Sequence, residues 1–376
     1  MNKTAKIVLA VVLVILVIWG FVSVQNNNST EPIKIGVPTI LSGDFAVAGE
    51  NIVNAVKIAI EDVNIQGGVN GRQLLMVPED SKCDSKGGLS AVSKLVNVDG
   101  VRYMIGGMCS NGTLAAAPLA NEKHALIMTP VTGGKNVDEA GEYIFRIANS
   151  DILAGRDIAQ AMLKKGYTRV GVISAITEYT LDIKNTFEQV MKSAGATVVI
   201  SEEFQPGTND YRTLIGKIKN AKPQAILVLS QLGTDAAKFI KQSRELGLQV
   251  PLFTDFTLIV NDNAKKIAGS YEGIYFADPA YGSDTMAQVF FDRYEEVYKI
   301  KSAIPFHAAS SYDAVMMYVD ALRAVGDDSV EVKDWLLANV KNRKGLMGTF
   351  SLDSTGNSDL GFVIKQVKGD QFIEVK

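Results

Sequence analysis

The sequence predicts an α/β protein of two doubly wound lobes, each a parallel sheet covered by helices. Three observations predict it. Residues 33–84 read as strand, helix and strand in succession, and strand and helix signals then alternate almost to the end. At 376 residues the chain is also too long for one ordinary core, since domains usually hold about 100–200 residues.

The first strand, 33–38, is the apolar run IKIGVP, and it meets a loop of small residues, Leu41-Ser42-Gly43-Asp44. A helix follows, because Ile52, Val56, Ile60 and Val63 recur at the spacing of one helical face. The glycine-rich turn 67–71 leads to a second strand ending in Glu79-Asp80. Strand, helix, strand is a crossover, and crossovers join parallel strands. The alternation continues with a helix at 86–98, a strand at 102–105, a helix at 113–122 and strands at 125–129 and 143–147.

A second array begins with a helix at 151–165 and strand 169–174. It continues with helix 180–193, strand 197–202, helix 211–220, strand 225–229 and helix 234–246, and closes with strands 251–253 and 273–276. From residue 283 the signal is helical, at 286–298, 306–325 and 330–340, and the last thirty residues return to strand at 361–367 and 372–375. A helical stretch placed after both sheets is expected to pack back on the first lobe, with the final strands returning to the second. The organisation expected is therefore 33–148 plus 281–347 for lobe 1 and 149–280 plus 348–376 for lobe 2. These Rossmann-like lobes are joined by a three-stranded hinge near 148–151, 277–281 and 345–351.

Residues 7–24 form an uncharged run of 18 residues, preceded by Lys3 and Lys6 and followed by Gln25-Asn26-Asn27-Asn28. That length suits a membrane-spanning helix better than a signal-peptide core of about 7–15 residues. No good small-residue cleavage site or lipid-accepting cysteine follows it. Residues 1–24 are expected to be an uncleaved signal anchor, with a cleaved signal peptide as the alternative, and 25–32 a linker. Either way the rest of the chain is extracytoplasmic, at the periplasm or cell surface. Of 38 basic and 41 acidic residues, two lysines and one glutamate precede residue 33, so the exported part carries a net charge of −4. Such a surface has no excess of cations for a phosphate backbone, so nucleic-acid binding is not expected.

The catalytic inventory is thin. His124 and His307 are the two histidines, and neither has metal-ligand spacing. His124 reads as a solvated helix end and His307, which opens a helix, as a packing or rim residue. No GxSxG elbow or P-loop is present, and Asp353-Ser354-Thr355-Gly356 reads as a turn. No cofactor, metal site or enzymatic activity is expected. Two cysteines, Cys83 and Cys109, follow predicted strand ends in neighbouring units. In an exported chain they read as a disulfide, with two small buried thiols as the alternative.

Recognition chemistry remains. Gly106-Gly107-Met108-Cys109-Ser110-Asn111-Gly112-Thr113 lies between a strand and a helix. Ser110 reads as the N-cap, and the N–H groups at that helix start suit a small anion such as a carboxylate. A second turn, Thr129-Pro130-Val131-Thr132-Gly133-Gly134, follows the next strand. Both lie at carboxyl ends of strands, where open α/β sheets bind ligands.

These features combine into a wider pattern: Leu41-Ser42-Gly43, Gly49, Asn64-x-x-Gly-Gly-x-Asn-Gly71, Asp80, Cys83-Asp84 and Ile105-Gly106-x-x-Cys109-Ser110. Thr129-Pro130, Tyr179, Tyr312-Asp313-Ala314 and Gly348-x-Phe350-x-Leu352-Asp353 extend it. The chain resembles the type I periplasmic binding proteins of the branched-chain amino acid family, the Leu/Ile/Val-binding proteins of ABC transporters. The resemblance implies a Cys83–Cys109 disulfide in the first lobe. It implies that Ser110 holds the ligand carboxylate, with Met108 and Cys109 contributing nearby backbone, and that the Val131 backbone contacts the ligand; Asn111, next in the same turn, is a further candidate ligand-binding residue. Tyr179 is implied to close over the pocket from the second lobe; Phe45, in the loop 41–45, is expected at the pocket edge.

Two departures matter. The threonine expected to hold the ligand amine aligns with Gly133, one place after Thr132, and the ammonium-pairing glutamate aligns near Phe256, beside Asp255. Thr132 and Asp255 are the candidates to replace them. The implied function is substrate binding for an ABC importer, with an ABC permease as partner, the N-terminal segment in the membrane and a monomeric state. The implied ligand is a small carboxylate-bearing solute, foremost a branched-chain or other aliphatic amino acid. Amides, urea-like molecules and aromatic or aliphatic carboxylates are alternatives for the ligand. A ligand-sensing ectodomain acting through a partner chain is the alternative for the role.

Overall fold

The computed structural model describes residues 31–43, 46–259, 262–269, 271–282, 284–358, 360–369 and 371–375. The proposed anchor at 1–24 and Phe45 lie outside the described residues. Among the described residues no helix is long and apolar enough to cross a membrane.

The first array runs β1 (Ile33–Thr39), α1 (Ala46–Ile65), β2 (Leu74–Asp80), α2 (Ser85–Asn97), β3 (Tyr103–Ile105), α3 (Ser110–Glu122), β4 (Leu126–Thr129) and β5 (Ile144–Arg146). The second runs α4 (Asp151–Lys164), β6 (Arg169–Ala175), α5 (Glu178–Ser193), β7 (Thr197–Phe204), α6 (Arg212–Ala221), β8 (Ala225–Leu229), α7 (Gly233–Glu245), β9 (Leu252–Asp255), α8 (Asp262–Ala268) and β10 (Tyr275–Pro279). Then come α9 (Thr285–Tyr298), α10 (Pro305–Val325), α11 (Ser329–Asn339), β11 (Arg343–Gly345), β12 (Gly348–Phe350), β13 (Phe362–Lys368) and β14 (Gln371–Glu374). The two successive βα arrays read from the sequence are thus present.

The first sheet has the order β2-β1-β3-β4-β5, all parallel. The second is ordered β14-β13-β10-β9-β8-β6-β7, and its portion from β7 to β10 is parallel and repeats the first sheet's order. Strands buried on both faces carry continuous apolar runs. In β8, Ala225, Leu227 and Leu229 point into one core while Ile226 and Val228 point into the other, as the two-residue period of a strand dictates. In the first lobe α1 and α10 cover one face, with Ile52, Val56 and Val63 packed on Ile35 and Val37. Helices α2 and α3 cover the other through Leu95, Val96, Ala116 and Ala120.

Helices α9–α11 pack on the first lobe, and β13 and β14 join the second sheet. The hairpin β11–β12 also belongs to the first lobe. Leu346, Met347, Phe350 and Leu352 are buried in its core, and both carboxylate oxygens of buried Asp313 accept bonds from Leu346 N (3.0 Å) and Met347 N (2.9 Å). The third passage between lobes therefore falls at 358–361, later than the 345–351 expected, because these apolar side chains are already committed to the first core. The three passages are bonded together: Ser358 Oγ donates to Ala148 O (2.9 Å), Ala280 N to Gly361 O (3.1 Å), and Asn149 Nδ2 to Gly361 O.

A cleft at facing switch points

In a sheet ordered 2-1-3-4-5 the crevice for a ligand opens where strand order reverses, at the carboxyl ends of its first and third strands. Both lobes present that point to the same cavity. From the first lobe come Ile40 after β1 and Met108 to Ser110 after β3; from the second come Tyr179 after β6 and Gln231 after β8. Val131 to Gly133 after β4, Phe256 and Thr257 after β9, and Ile304 and His307 at the start of α10 complete its walls together with Ala48 and Cys83. The space open to the centre of a water molecule is about 80 Å³. One water needs roughly 10–15 Å³ on that measure, so a solute of under about ten non-hydrogen atoms is the right size.

The β3–α3 turn is built by close backbone contacts. Gly107 has φ +80°, open to glycine at little cost, and its carbonyl accepts from Thr129 Oγ1 (2.9 Å) and Thr132 Oγ1. Thr132 Oγ1 also lies 3.3 Å from Thr113 Oγ1. Thus the two polar turns are stitched together, and the Thr132 hydroxyl serves the scaffold. Gly49 lets α1 press against Ile40: a Cβ there would meet Ile40 O at 1.7 Å.

Cys83 and Cys109 are disulfide-bonded, with Cα atoms 5.3 Å apart. The bond ties the end of β2 to the ligand-facing turn. From across the cleft Gln231 Nε2 approaches Cys83 Sγ at 3.5 Å. At the mouth, Lys135 N donates to Asp182 Oδ2 (2.6 Å) and Asn136 Nδ2 to Glu178 Oε1, bridging the lobes.

The expectation that Ser110 caps α3 is corrected: Cys109 occupies the cap position and Ser110 is the first helical residue. The consequence is favourable for binding. Ser110 is buried, lines the cavity and, among the described residues, its hydroxyl has no partner. The first N–H groups of a helix have no intrahelical acceptor, so the Ser110 and Asn111 amides are available beside it. No lysine or arginine lines the cavity, leaving hydroxyl and amides to meet an anion.

Of the residues singled out from sequence, Met108, Cys109, Ser110, Val131, Thr132 and Tyr179 line the cavity together. Asn111 does not: it is exposed, its Oδ1 accepts from Gly112 N (2.8 Å) and its Nδ2 donates to Cys83 O (3.4 Å). Asp255 stands one layer back, behind Phe256 and Thr257. Its Oδ1 accepts from Thr257 N (2.8 Å) and Thr257 Oγ1, while its buried Oδ2 has no partner. Burial pushes its carboxyl up to about 6, against the pull of the Thr257 bonds. Asp151, also buried with a partnerless Oδ2, is held well above the carboxylate range by burial and then by Asp182. Between these carboxyls sits Tyr179, whose hydroxyl is raised by burial and then by the charges of Asp255 and Asp151. A Cβ on Gly133 would meet Asn149 O at 2.4 Å and Asp151 Oδ1 at 2.5 Å, which explains the absence of a threonine there.

Ile40, Gln231, Phe256, Thr257 and His307 were not singled out from sequence as site residues. Gln231, Phe256 and Thr257 directly follow strands β8 and β9, so the strand-end rule would have found them. Nothing in the sequence marks His307, which is buried at the cavity wall rather than at a rim. His124 is exposed and stacks on Tyr143 at 5.0 Å, away from the cleft.

Known proteins are similar to this chain in sequence and in fold. A Leu/Ile/Val-binding protein of Citrobacter freundii is 26% identical over 340 residues, covering 89% of this chain and 90% of that one. Among solved structures, the branched-chain amino acid transporter substrate-binding protein of Streptococcus pneumoniae, in complex with isoleucine, superposes with a TM-score of 0.82. That superposition covers 92% of this chain and 99% of that one at 23% identity. A solute-binding protein of an R. palustris ABC transporter, in complex with benzoate, gives a TM-score of 0.80 at 21% identity over 92% of this chain and 95% of that one. The family model described as periplasmic binding protein matches residues 32–368. The chain belongs to the periplasmic binding protein family.

Proposed function

We propose that this protein is the extracytoplasmic solute-binding component of an ABC importer. Its solute carries a carboxylate and has the size of a branched-chain amino acid. One observation carries the reading: the cavity joins the unpaired Ser110 hydroxyl and the amides of α3 to a second-lobe wall backed by the partnerless Asp255 oxygen. The first set suits a carboxylate. The second suits an ammonium, whose burial without a counter-charge is costly. A solute touching both lobes stabilises the closed state by its differential affinity, and a permease reads that state. The relatives named for leucine, isoleucine and valine support the amino acid; the residues 7–24 support a membrane tether, and a monomer is the assembly proposed.

A second reading is a benzoate-like carboxylate. It is favoured by the predominantly apolar walls, which include Tyr179 and Phe256, and by the benzoate-bound neighbour. A thermal-shift screen over aliphatic amino acids, their amides and aromatic carboxylates separates the two, because a specific ligand raises the melting temperature. Stabilisation by amino acids and not by the same compounds lacking the amine supports the first reading. Stabilisation by benzoates alone supports the second, and no shift with any carboxylate overturns both.

A further inference from the structure

His307 is the one imidazole in the cavity wall. It is only 2% exposed and its Nδ1 has no hydrogen-bond partner among the described residues. Two aromatic rings fix its plane edge-to-face, Phe256 at 5.5 Å between centroids and Phe306 at 5.8 Å. It sits in the first turn of α10, and its carbonyl, not its ring, accepts the hydroxyls of Ser310 (3.2 Å) and Ser311 (2.6 Å). Burial pushes its pKa down to about 3, so the ring is neutral. A neutral imidazole carries one donor and one acceptor. Between two phenyl rings, an unmet polar atom is a cost that a phenylalanine would avoid. The surrounding rings show that a phenyl group is chemically at home there.

We infer that His307 is a specificity-determining residue that hydrogen-bonds the solute's side chain, so that the preferred solute carries a neutral polar group, a hydroxyl or a carboxamide, on a frame of aliphatic size. This rests on the proposed reading of the cavity as a site for a carboxylate-bearing amino acid. Hydroxyl and carboxamide each offer a donor and an acceptor, matching the ring in either tautomer. A site that holds a buried polar group for its ligand discriminates against the isostere lacking the partner far more strongly than an apolar pocket discriminates by size.

The test uses two pairs of matched shape, threonine against valine and asparagine against leucine, titrated calorimetrically into the full exported chain. The wild type is expected to bind the polar member of at least one pair about tenfold or more tightly. His307→Phe should abolish or reverse that preference, and His307→Gln, which keeps a donor and an acceptor, should retain part of it. Ser110→Ala should weaken both members alike, which reports on the carboxylate reading independently. Preference for the apolar members, with the ratio unchanged in His307→Phe, overturns the inference and leaves the amino-acid reading intact. Binding of none of the four by the wild type overturns both.

Discussion

Ser110→Ala removes a hydroxyl from the cavity wall without touching a bond of the fold. Ser110 is 7% exposed, sits at the first position of α3 and has no hydrogen-bond partner among the described residues. Its loss should therefore leave the empty protein's stability within about 0.5 kcal/mol of wild type, the range of changes away from structural features. A bound carboxylate, by contrast, would lose one charge-assisted bond, about 1.5–3 kcal/mol, or roughly 10- to 150-fold in Kd. Thr132→Val is the internal contrast. Its hydroxyl bonds Gly107 O and lies 3.3 Å from Thr113 Oγ1, so removing it should lower the melting temperature of the empty protein. Calorimetry gives Kd and differential scanning gives melting temperature for both variants. The reasoning fails if Ser110→Ala binds the solute within twofold of wild type, or if its empty form melts as early as Thr132→Val.

Three further outcomes are expected. Asp255 and Asp313 are both pushed up to about 6 by burial, so their protonated forms are favoured in the folded state. Their contribution to stability is therefore fully present below the usual carboxyl pKa of about 4 and declines as pH rises through about 6; Asp255→Asn and Asp313→Asn should each flatten the fall in melting temperature over that window. If the solute's ammonium pairs with ionised Asp255, its affinity should rise with pH over the same range, by up to about tenfold per unit; a pH-independent Kd for an amino acid would place the ammonium elsewhere. Reduction of the Cys83–Cys109 bond, which closes a loop with a sequence separation of 26, should cost about 3–4 kcal/mol in the chain-entropy model. Thermal melts with and without reductant measure it.

The alternating architecture was legible because each buried element carries its own period. Strand 225–229 was placed to the residue, since AILVL is apolar on both faces, and the stripe Ile52, Val56, Ile60 and Val63 is buried as its spacing implied. Helix α8 carries no such signal, because DNAKKIA over seven residues shows too little of a stripe, and neither do β11 and β12, because three-residue strands are shorter than their own period can reveal. The N-terminus of α3 lies three residues before the expected one. Ser110 looked like a cap, but the disulfide-held Cys109 takes that place. In the site, the segments that follow β3 and β4 were legible as polar, glycine-rich turns. His307 was not, because it reaches the cavity only when α10 packs back on the first lobe, a tertiary event without a local signal.

The central claim is that a carboxylate-bearing solute lies between the lobes, with its carboxylate on the start of α3. A crystal structure of the exported chain with the best solute from the thermal-shift screen tests it most directly. The account predicts density for the carboxylate within hydrogen-bond distance of Ser110 Oγ and the first amides of α3, with both lobes in contact with the solute. Density for the solute outside this cleft, or bound with its carboxylate turned away from Ser110, would contradict it.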